Sequence, residues 1–292
     1  MVHRHSEGRD WSEMKLSKHH GLRNDFLVVL DATNDGPVAA GPELARLLCD
    51  RRSGIGADGL IHGAAPGPDD PPDTDVVMHL WNADGTRAEM SGNGIRCLAQ
   101  AVVAARGERE GTVVAATDAG RRELDVRPGP RSGEVTVRVD MGVVGPGPGT
   151  AGIELPVPVK ELATADLGNP HIVAWVTDPS DVDLAVVGPE VESHFPDGVN
   201  LELIAPGAVP NTLQLAVWER GVGITEACGT GACAAAFLAR RWGLVDGAAE
   251  VAMPGGAVLV ELVEDRAILH GPAVHIADIA VAVDIEVEVD HG

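Results

Sequence analysis

An internal repeat is the feature that most constrains this sequence. Residues 81–94 read WNADGTRAEMSGNG and residues 218–231 read WERGVGITEACGTG, so a tryptophan, a glutamate and a glycine pair recur 137 residues apart. In each copy a strand-like run leads through a loop to the glycine pair and an alanine-rich helical pattern. A second, weaker similarity pairs GLRNDF at 21–26 with DLGNPH at 166–171. We therefore expect two similar halves.

The rest of the chain is dominated by strand-like apolar runs that Gly, Pro and Asp separate. These runs are residues 26–30, 76–81, 112–116, 135–139, 172–176, 213–218, 258–263 and 279–289. Helical patterns cover 42–51, 94–106 and 231–242. The proline-rich segment 64–75 predicts an acidic surface loop, and GPGPG at 145–149 predicts a linker. Together these patterns predict an α+β fold in two halves.

Composition bounds the class of protein. With 292 residues, of which 45% are apolar, the chain is long enough for one large or two ordinary domains. It has no apolar run of ~20 residues and no signal-peptide h-region, so we expect a cytoplasmic protein with no membrane partner. A net charge of −22 with only three lysines argues against a nucleic-acid partner. Residues 1–13 are predicted to be a disordered leader.

Cysteine and histidine spacing gives no indication of a metal site. The four cysteines include no C-x-x-C pair, and a cytoplasmic chain of this size needs no disulfides, so we expect free thiols and no metal. GIGADG at 54–59 spells the G-x-G-x-x-G of dinucleotide-binding proteins. A helical pattern precedes it where a strand is required, so an oxidoreductase is rejected.

Each copy of the repeat places a small polar residue, Ser91 or Cys228, at the start of a helix. Helix starts leave backbone N–H groups unpaired and carry a partial positive charge. We therefore expect the pKa of Cys228 to be lowered, so that its thiolate is a base near neutrality. The amides expected to hold a carboxylate are those of Gly92, Asn93, Gly229 and Thr230.

Two facing helix starts suit the inversion of a stereocentre. Removing an α-proton from one face of an amino acid and returning one to the other requires a residue on each face, with the carboxylate held between donors. Only three lysines are present, so a pyridoxal Schiff base has few candidates. The prediction is a cofactor-independent enzyme that acts on a small amino acid.

Eight strings resemble the diaminopimelate epimerase family. They are HGLRNDF, GIGADGL, WNADGT, EMSGNGIRC, GNPH, VNLE, ERGVGITEACGTGACAAA and MPGG, in this order between residues 14 and 276. The resemblance implies two pseudo-duplicated domains, each a β-barrel-like sheet around a central helix, with a two-cysteine site at their interface. It also implies the conversion of LL-diaminopimelate to the meso isomer, for lysine and cell-wall synthesis. We place the N-terminal domain at 1–140 plus 272–292 and the C-terminal domain at 141–271.

The resemblance assigns roles to individual residues. Cys228 matches the second catalytic cysteine, and Glu219 matches a residue that contacts the substrate amino group. Arg220 is a bidentate partner for the distal carboxylate, and His171 flanks the catalytic pair. The remaining substrate-holding positions are Asn24, Asn82, Asn169 and Asn200.

The sequence departs from the family at its first catalytic cysteine, which is Ser91 here. A hydroxyl is far less acidic than a thiol of pKa ~8.5, so Ser91 does not rest as a base. Three explanations stay open: a natural serine variant, slower or specific for another amino acid; an engineered change that traps substrate; and another carbanion reaction, such as elimination. The alternative to an enzyme is a non-catalytic relative that binds an amino acid. The exact substrate and a possible homodimer are also open.

Overall fold

The structure, a computed structural model, describes residues 12–88, 90–150 and 152–283. Most of the predicted leader lies outside this range. So does Glu89, which the repeat pairs with Glu226, and so does the end of the last strand-like run, residues 284–289.

The described residues form seventeen strands and four α-helices. The strands are β1 (Ser12–Gly21), β2 (Asn24–Leu30), β3 (Gly59–Ala64), β4 (Val76–Asn82), β5 (Arg87–Ala88), β6 (Gly111–Thr117), β7 (Gly120–Pro128), β8 (Glu134–Val143), β9 (Gly145–Pro146), β10 (Glu161–Asp166), β11 (Pro170–Trp175), β12 (Asn200–Pro206), β13 (Thr212–Glu219), β14 (Gly223–Thr225), β15 (Ala248–Met253), β16 (Gly256–Val263) and β17 (Arg266–Val283). The helices are α1 (Pro42–Cys49), α2 (Gly92–Ala105), α3 (Leu184–Ser193) and α4 (Gly229–Arg241).

Eight strands close into a first barrel around α2. Hydrogen-bonded neighbours follow in the order β1, β2, β3, β4, β6, β7, β8 and β17, and β17 pairs again with β1. The residues of α2 from Gly92 to Val103 are all buried, because the barrel surrounds them. A helix that is buried on every side needs small and apolar side chains, which explains its alanine content.

A second barrel repeats this order around α4. Its neighbours are β10, β11, β12, β13, β15, β16 and β17, and β8 with its continuation β9 closes it against β10. The two parallel pairs of the first barrel, β2 with β3 and β4 with β6, recur as β11 with β12 and β13 with β15. The predicted α+β fold of two similar barrel-like halves is confirmed.

Two strands pass from one barrel to the other. The first part of β17 pairs with β16, and its later part pairs with β1. The predicted domain boundaries at 140/141 and 271/272 fall inside β8 and β17, and they stay a prediction. The predicted linker at 145–149 is wrong in part, because Gly145 and Pro146 pair with Asp166 and Ala165 as a barrel strand.

Helices α1 and α3 each pack in an apolar cluster of their own. A third cluster encloses the central helices α2 and α4. Helix α3 is not predicted from the sequence, because it contains Pro189 and lacks a clear apolar stripe. None of the helices in the described ranges is long and apolar enough to cross a membrane.

Candidate functional site

The two helix starts of the repeat meet each other. Ser91 is the N-cap of α2 and its Oγ accepts a hydrogen bond from the Gly94 amide at 3.0 Å. Cys228 is the N-cap of α4 and its Sγ accepts from the Gly231 amide at 3.3 Å. A Cβ atom added to Gly92 would lie 3.0 Å from the Cα of Gly229, so the two backbones touch where only glycine fits. The two helix starts of the repeat therefore converge.

A cleft of about 960 Å³ opens between the barrels at this contact. Twelve of the residues selected from the sequence line it. They are Asn24, Asn82, Ser91, Gly92, Asn93, Asn169, Asn200, Glu219, Arg220, Cys228, Gly229 and Thr230. His171 is fully buried and does not line the cleft.

A tight turn in the first barrel positions Asn24. Leu22 and Arg23 form a two-residue hairpin loop with φ of 54° and 69°, the backbone of a type I′ turn. The Leu22 side chain is buried, which holds the strained turn in place. Asn93 Nδ2 donates to Asn24 Oδ1 at 3.2 Å and to the Ala227 carbonyl at 3.0 Å. Asn93 therefore connects the start of α2 to the residue before Cys228.

A hydrogen-bond chain runs from Cys228 into the second barrel. Cys228 Sγ lies 3.5 Å from Thr230 Oγ1, which accepts from Asn169 Nδ2 at 3.3 Å. Asn169 Oδ1 lies 3.1 Å from His171 Nε2, and His171 Nδ1 lies 2.7 Å from Glu202 Oε1. The side chains of His171 and Glu202 are both fully buried. This series of hydrogen bonds fixes the orientation of the polar groups around the sulfur.

Glu219 and Arg220 end strand β13 at the cleft. The Thr225 hydroxyl donates to Glu219, and burial raises the pKa of the Glu219 carboxyl. Asn200 Oδ1 accepts from the Arg220 amide at 2.9 Å, which fixes the backbone there. The Arg220 guanidinium donates to the Asp197 carbonyl at 3.3 Å and forms no ion pair with a described carboxylate. Arg220 lines the cleft and is a candidate to bind an anionic group there.

The cleft also contains a charged group that the sequence analysis passed over. Asp58 Oδ2 accepts from Asn24 Nδ2 at 2.8 Å, and Arg51 binds Asp58 at 2.7 Å and Asp25 at 2.6 Å. Asp58 belongs to the GIGADG string, which carries part of the family resemblance, but no role was assigned to this residue from the sequence. The hydrogen bond holds the Asn24 amide in one orientation.

Comparison with known proteins agrees with this geometry. The family model described as diaminopimelate epimerase matches residues 16–145 and 163–276. A diaminopimelate epimerase of Synechococcus elongatus is 39% identical over 278 residues, which cover 90% of this chain and 96% of that protein. The chain belongs to the diaminopimelate epimerase family.

Solved structures share the fold at lower sequence identity. A phenazine biosynthesis protein of the PhzF family from Bacillus anthracis has a TM-score of 0.68 at 15% identity, covering 93% of this chain and all of that one. A hydroxyproline epimerase from Agrobacterium vitis, with trans-4-hydroxy-L-proline bound, has a TM-score of 0.64 at 17% identity, covering 94% of each chain. This member of the diaminopimelate epimerase family therefore has a fold that other proteins also use.

The pKa of Cys228 differs from the sequence-based expectation. It lies well above the ordinary value of a thiol, because burial removes water from the sulfur and the carboxylates of Glu219 and Glu202 disfavour a second negative charge. The Thr230 hydroxyl and the Gly231 amide lower it by less. The predicted lowering is wrong, because burial and two nearby acids outweigh the helix start.

Two buried charged residues were missed although their motifs were quoted. Arg96 is in EMSGNGIRC and Glu202 is in VNLE. Both side chains are fully buried, with 0% of their surface accessible to water. A charged residue inside an otherwise apolar helix or strand pattern was the available signal. The other cysteines, Cys49, Cys97 and Cys233, are buried free thiols, as expected.

Proposed function

We propose that this chain is a cofactor-independent epimerase that interconverts LL- and meso-diaminopimelate. The observation that carries the proposal is the contact of two capped helix starts at Gly92 and Gly229, with Ser91 on one and Cys228 on the other. This arrangement gives one polar group to each face of a substrate placed between them.

The α-carboxylate is proposed to bind the amides at the starts of α2 and α4. Their unpaired N–H groups and dipoles stabilise the negative charge that builds up when the α-proton leaves. Arg220 is proposed to pair with the distal carboxylate, because its guanidinium has no described carboxylate partner. Asn24, Asn82, Asn169 and Asn200 supply amide groups along the cleft wall.

Cys228 is proposed to exchange the α-proton on its face. Its thiol rests protonated, so it returns a proton to the carbanion directly. To act as a base it first transfers its proton to the Glu219 carboxylate, which burial makes a better proton acceptor than an exposed carboxylate. The Cα–H electron pair then stays on the substrate as the proton moves to sulfur.

Ser91 supports a second candidate, an elimination that starts from the same carbanion. A hydroxyl does not rest as a base, so the return of a proton from the Ser91 face is slower than from a thiol. A longer-lived carbanion is more prone to expel a β-leaving group, where the substrate carries one. Diaminopimelate has no such group, so the two candidates differ in substrate.

The test is to incubate the chain with LL-diaminopimelate in deuterium oxide and to follow α-deuterium and stereochemistry together. We expect exchange and meso product with the unmodified chain, and neither with Cys228→Ala. Cys233→Ala is the matched control, because it removes a buried thiol from the same helix away from the cleft. Retained exchange in Cys228→Ala contradicts the assignment. Pyruvate-type keto products from β-substituted amino acids, without exchange into diaminopimelate, would select the elimination.

Location and assembly are part of the same proposal. Four buried free thiols suit a reducing cytoplasm, which supports the expected location. The homodimer stays a prediction.

A further inference from the structure

The two helix starts differ in the charge that lies behind them. Arg96 of α2 is fully buried, and 137 residues later, at the same place in the repeat, α4 has Cys233. The Arg96 guanidinium donates to the Gly92 carbonyl at 2.8 Å, to Asn93 Oδ1 at 2.7 Å and to the Pro272 carbonyl at 3.1 Å. All three acceptors are neutral, and no described carboxylate pairs with Arg96. A buried positive charge therefore lies behind the Ser91 helix start.

The opposite charge lies behind the Cys228 helix start. A Cβ atom added to Gly231 would lie 2.5 Å from Glu202 Oε1, and one added to Gly94 would lie 3.1 Å from Ile61 Cδ1. Glu202 and Ile61 occupy equivalent positions in the two barrels. In the parallel pair of β11 and β12, His171 pairs with Asn200, and Glu202 lies two residues after Asn200. In the parallel pair of β2 and β3, Phe26 pairs with Gly59, and Ile61 lies two residues after Gly59. The acid in the second barrel thus replaces an aliphatic side chain in the first.

Only one carboxylate oxygen of Glu202 has a hydrogen-bond partner among the described residues. Its Oε1 lies 2.7 Å from His171 Nδ1, and among the described residues its buried Oε2 has no hydrogen-bond partner. Burying a charge costs free energy unless it is paired, and a charge in a low-dielectric interior acts on its neighbours more strongly than one in water. The pair Arg96 and Glu202 therefore creates a difference in potential between the two helix starts.

Other charged residues also line the cleft, and among them Arg220 is half-buried and donates to the Asp197 carbonyl. Six more are exposed to water, which screens their fields. They are Arg23, Arg51, Asp58, Asp84, Arg87 and Glu226. Glu219 is the other acid beside Cys228, and it adds to the effect of Glu202 rather than opposing it.

We propose that Arg96 and Glu202 are positioning residues of opposite charge, which make the Ser91 side of the cleft favour an anion and the Cys228 side favour a protonated group. The catalytic role of this charge difference rests on the proposed function. The substrate carboxylate and the charge of the carbanion are stabilised from the Arg96 side. Cys228 is kept as a proton donor, and a base is favoured at position 91.

The first test compares both helix starts in one molecule. Ser91→Cys places a second thiol at the equivalent cap, and the pH dependence of iodoacetamide alkylation of each thiol is measured by peptide mass spectrometry without substrate. Only the thiolate reacts, so the midpoint pH reports acidity independently of turnover. We expect the new thiol at position 91 to have the lower midpoint. Equal midpoints, or a lower midpoint for Cys228, overturn the proposal even if the chain is an active epimerase.

The second test assigns the cause, in the Ser91→Cys background. Arg96→Met should raise the midpoint at position 91 by about one unit, a tenfold slower reaction at low pH, and Arg96→Lys should restore it. Glu202→Gln should lower the midpoint of Cys228 by a similar amount. Far-UV circular dichroism confirms folding. An unchanged midpoint in a folded variant refutes the role of that residue, and if a variant does not fold, the first comparison decides.

Discussion

Gly92→Ala tests the contact between the helix starts. The added Cβ would lie 3.0 Å from Gly229 Cα and 3.6 Å from Leu269 Cδ2, whereas unstrained carbon atoms lie ~3.5–4.0 Å apart. The helix starts must therefore separate by roughly 0.5–1 Å, since the atom that the new Cβ meets at 3.0 Å belongs to the backbone of Gly229. A misplacement of ~1 Å can cost ~100-fold in rate, so we expect kcat for diaminopimelate epimerisation to fall between about tenfold and 100-fold.

The same substitution should lower stability by at most about 2.5 kcal/mol. Replacing a glycine by alanine in a helix favours folding by roughly 0.5–1 kcal/mol, which offsets only part of a strain of about 1–3 kcal/mol from the contact. Gly247→Ala is the matched control, because a Cβ atom there meets nothing within 4 Å. The assay is steady-state epimerisation beside thermal unfolding. Full activity of Gly92→Ala would show that the helix contact does not set the geometry of the reaction.

Three further outcomes are expected. Arg220→Met should raise KM for diaminopimelate by at least about tenfold and leave a neutral α-amino acid unaffected, with Arg220→Lys between them; equal effects on both substrates contradict the distal-carboxylate role. Ser91→Cys should raise the epimerisation rate, most for the isomer whose α-proton faces position 91, because a thiol is more acidic than a hydroxyl; a slower folded variant would indicate a different carbanion reaction. Burial lowers the pKa of His19 to about 4, so the neutral ring is favoured in the folded state and stability falls as the pH drops from ~6.5 towards 4, by up to about 3 kcal/mol. His19→Gln should flatten that decline in urea unfolding, and an unchanged slope would exclude His19 as its cause.

Much of the site was predictable from local sequence, because the chemistry depends on short motifs. The repeat from Trp81 to Gly94 and from Trp218 to Gly231 predicts two equivalent strand, loop and helix-start units. A cap residue followed by glycines determines the local backbone and exposes its amides, whatever surrounds it. Local sequence therefore suffices to place Ser91 and Cys228 at helix starts.

Only the tertiary structure decided how the units face each other and what lies behind them. The strand exchange of β8 and β17 depends on pairings between residues more than 100 positions apart, which periodicity does not encode. The pKa of Cys228 rises first because burial removes water from the sulfur, and then because strands β13 and β12 bring Glu219 and Glu202 near it. The helix start was visible in the sequence, whereas the burial of the sulfur and the proximity of Glu202 were not. Long-range packing therefore reversed the predicted direction, because loss of water and nearby charge act more strongly in the interior than a local dipole.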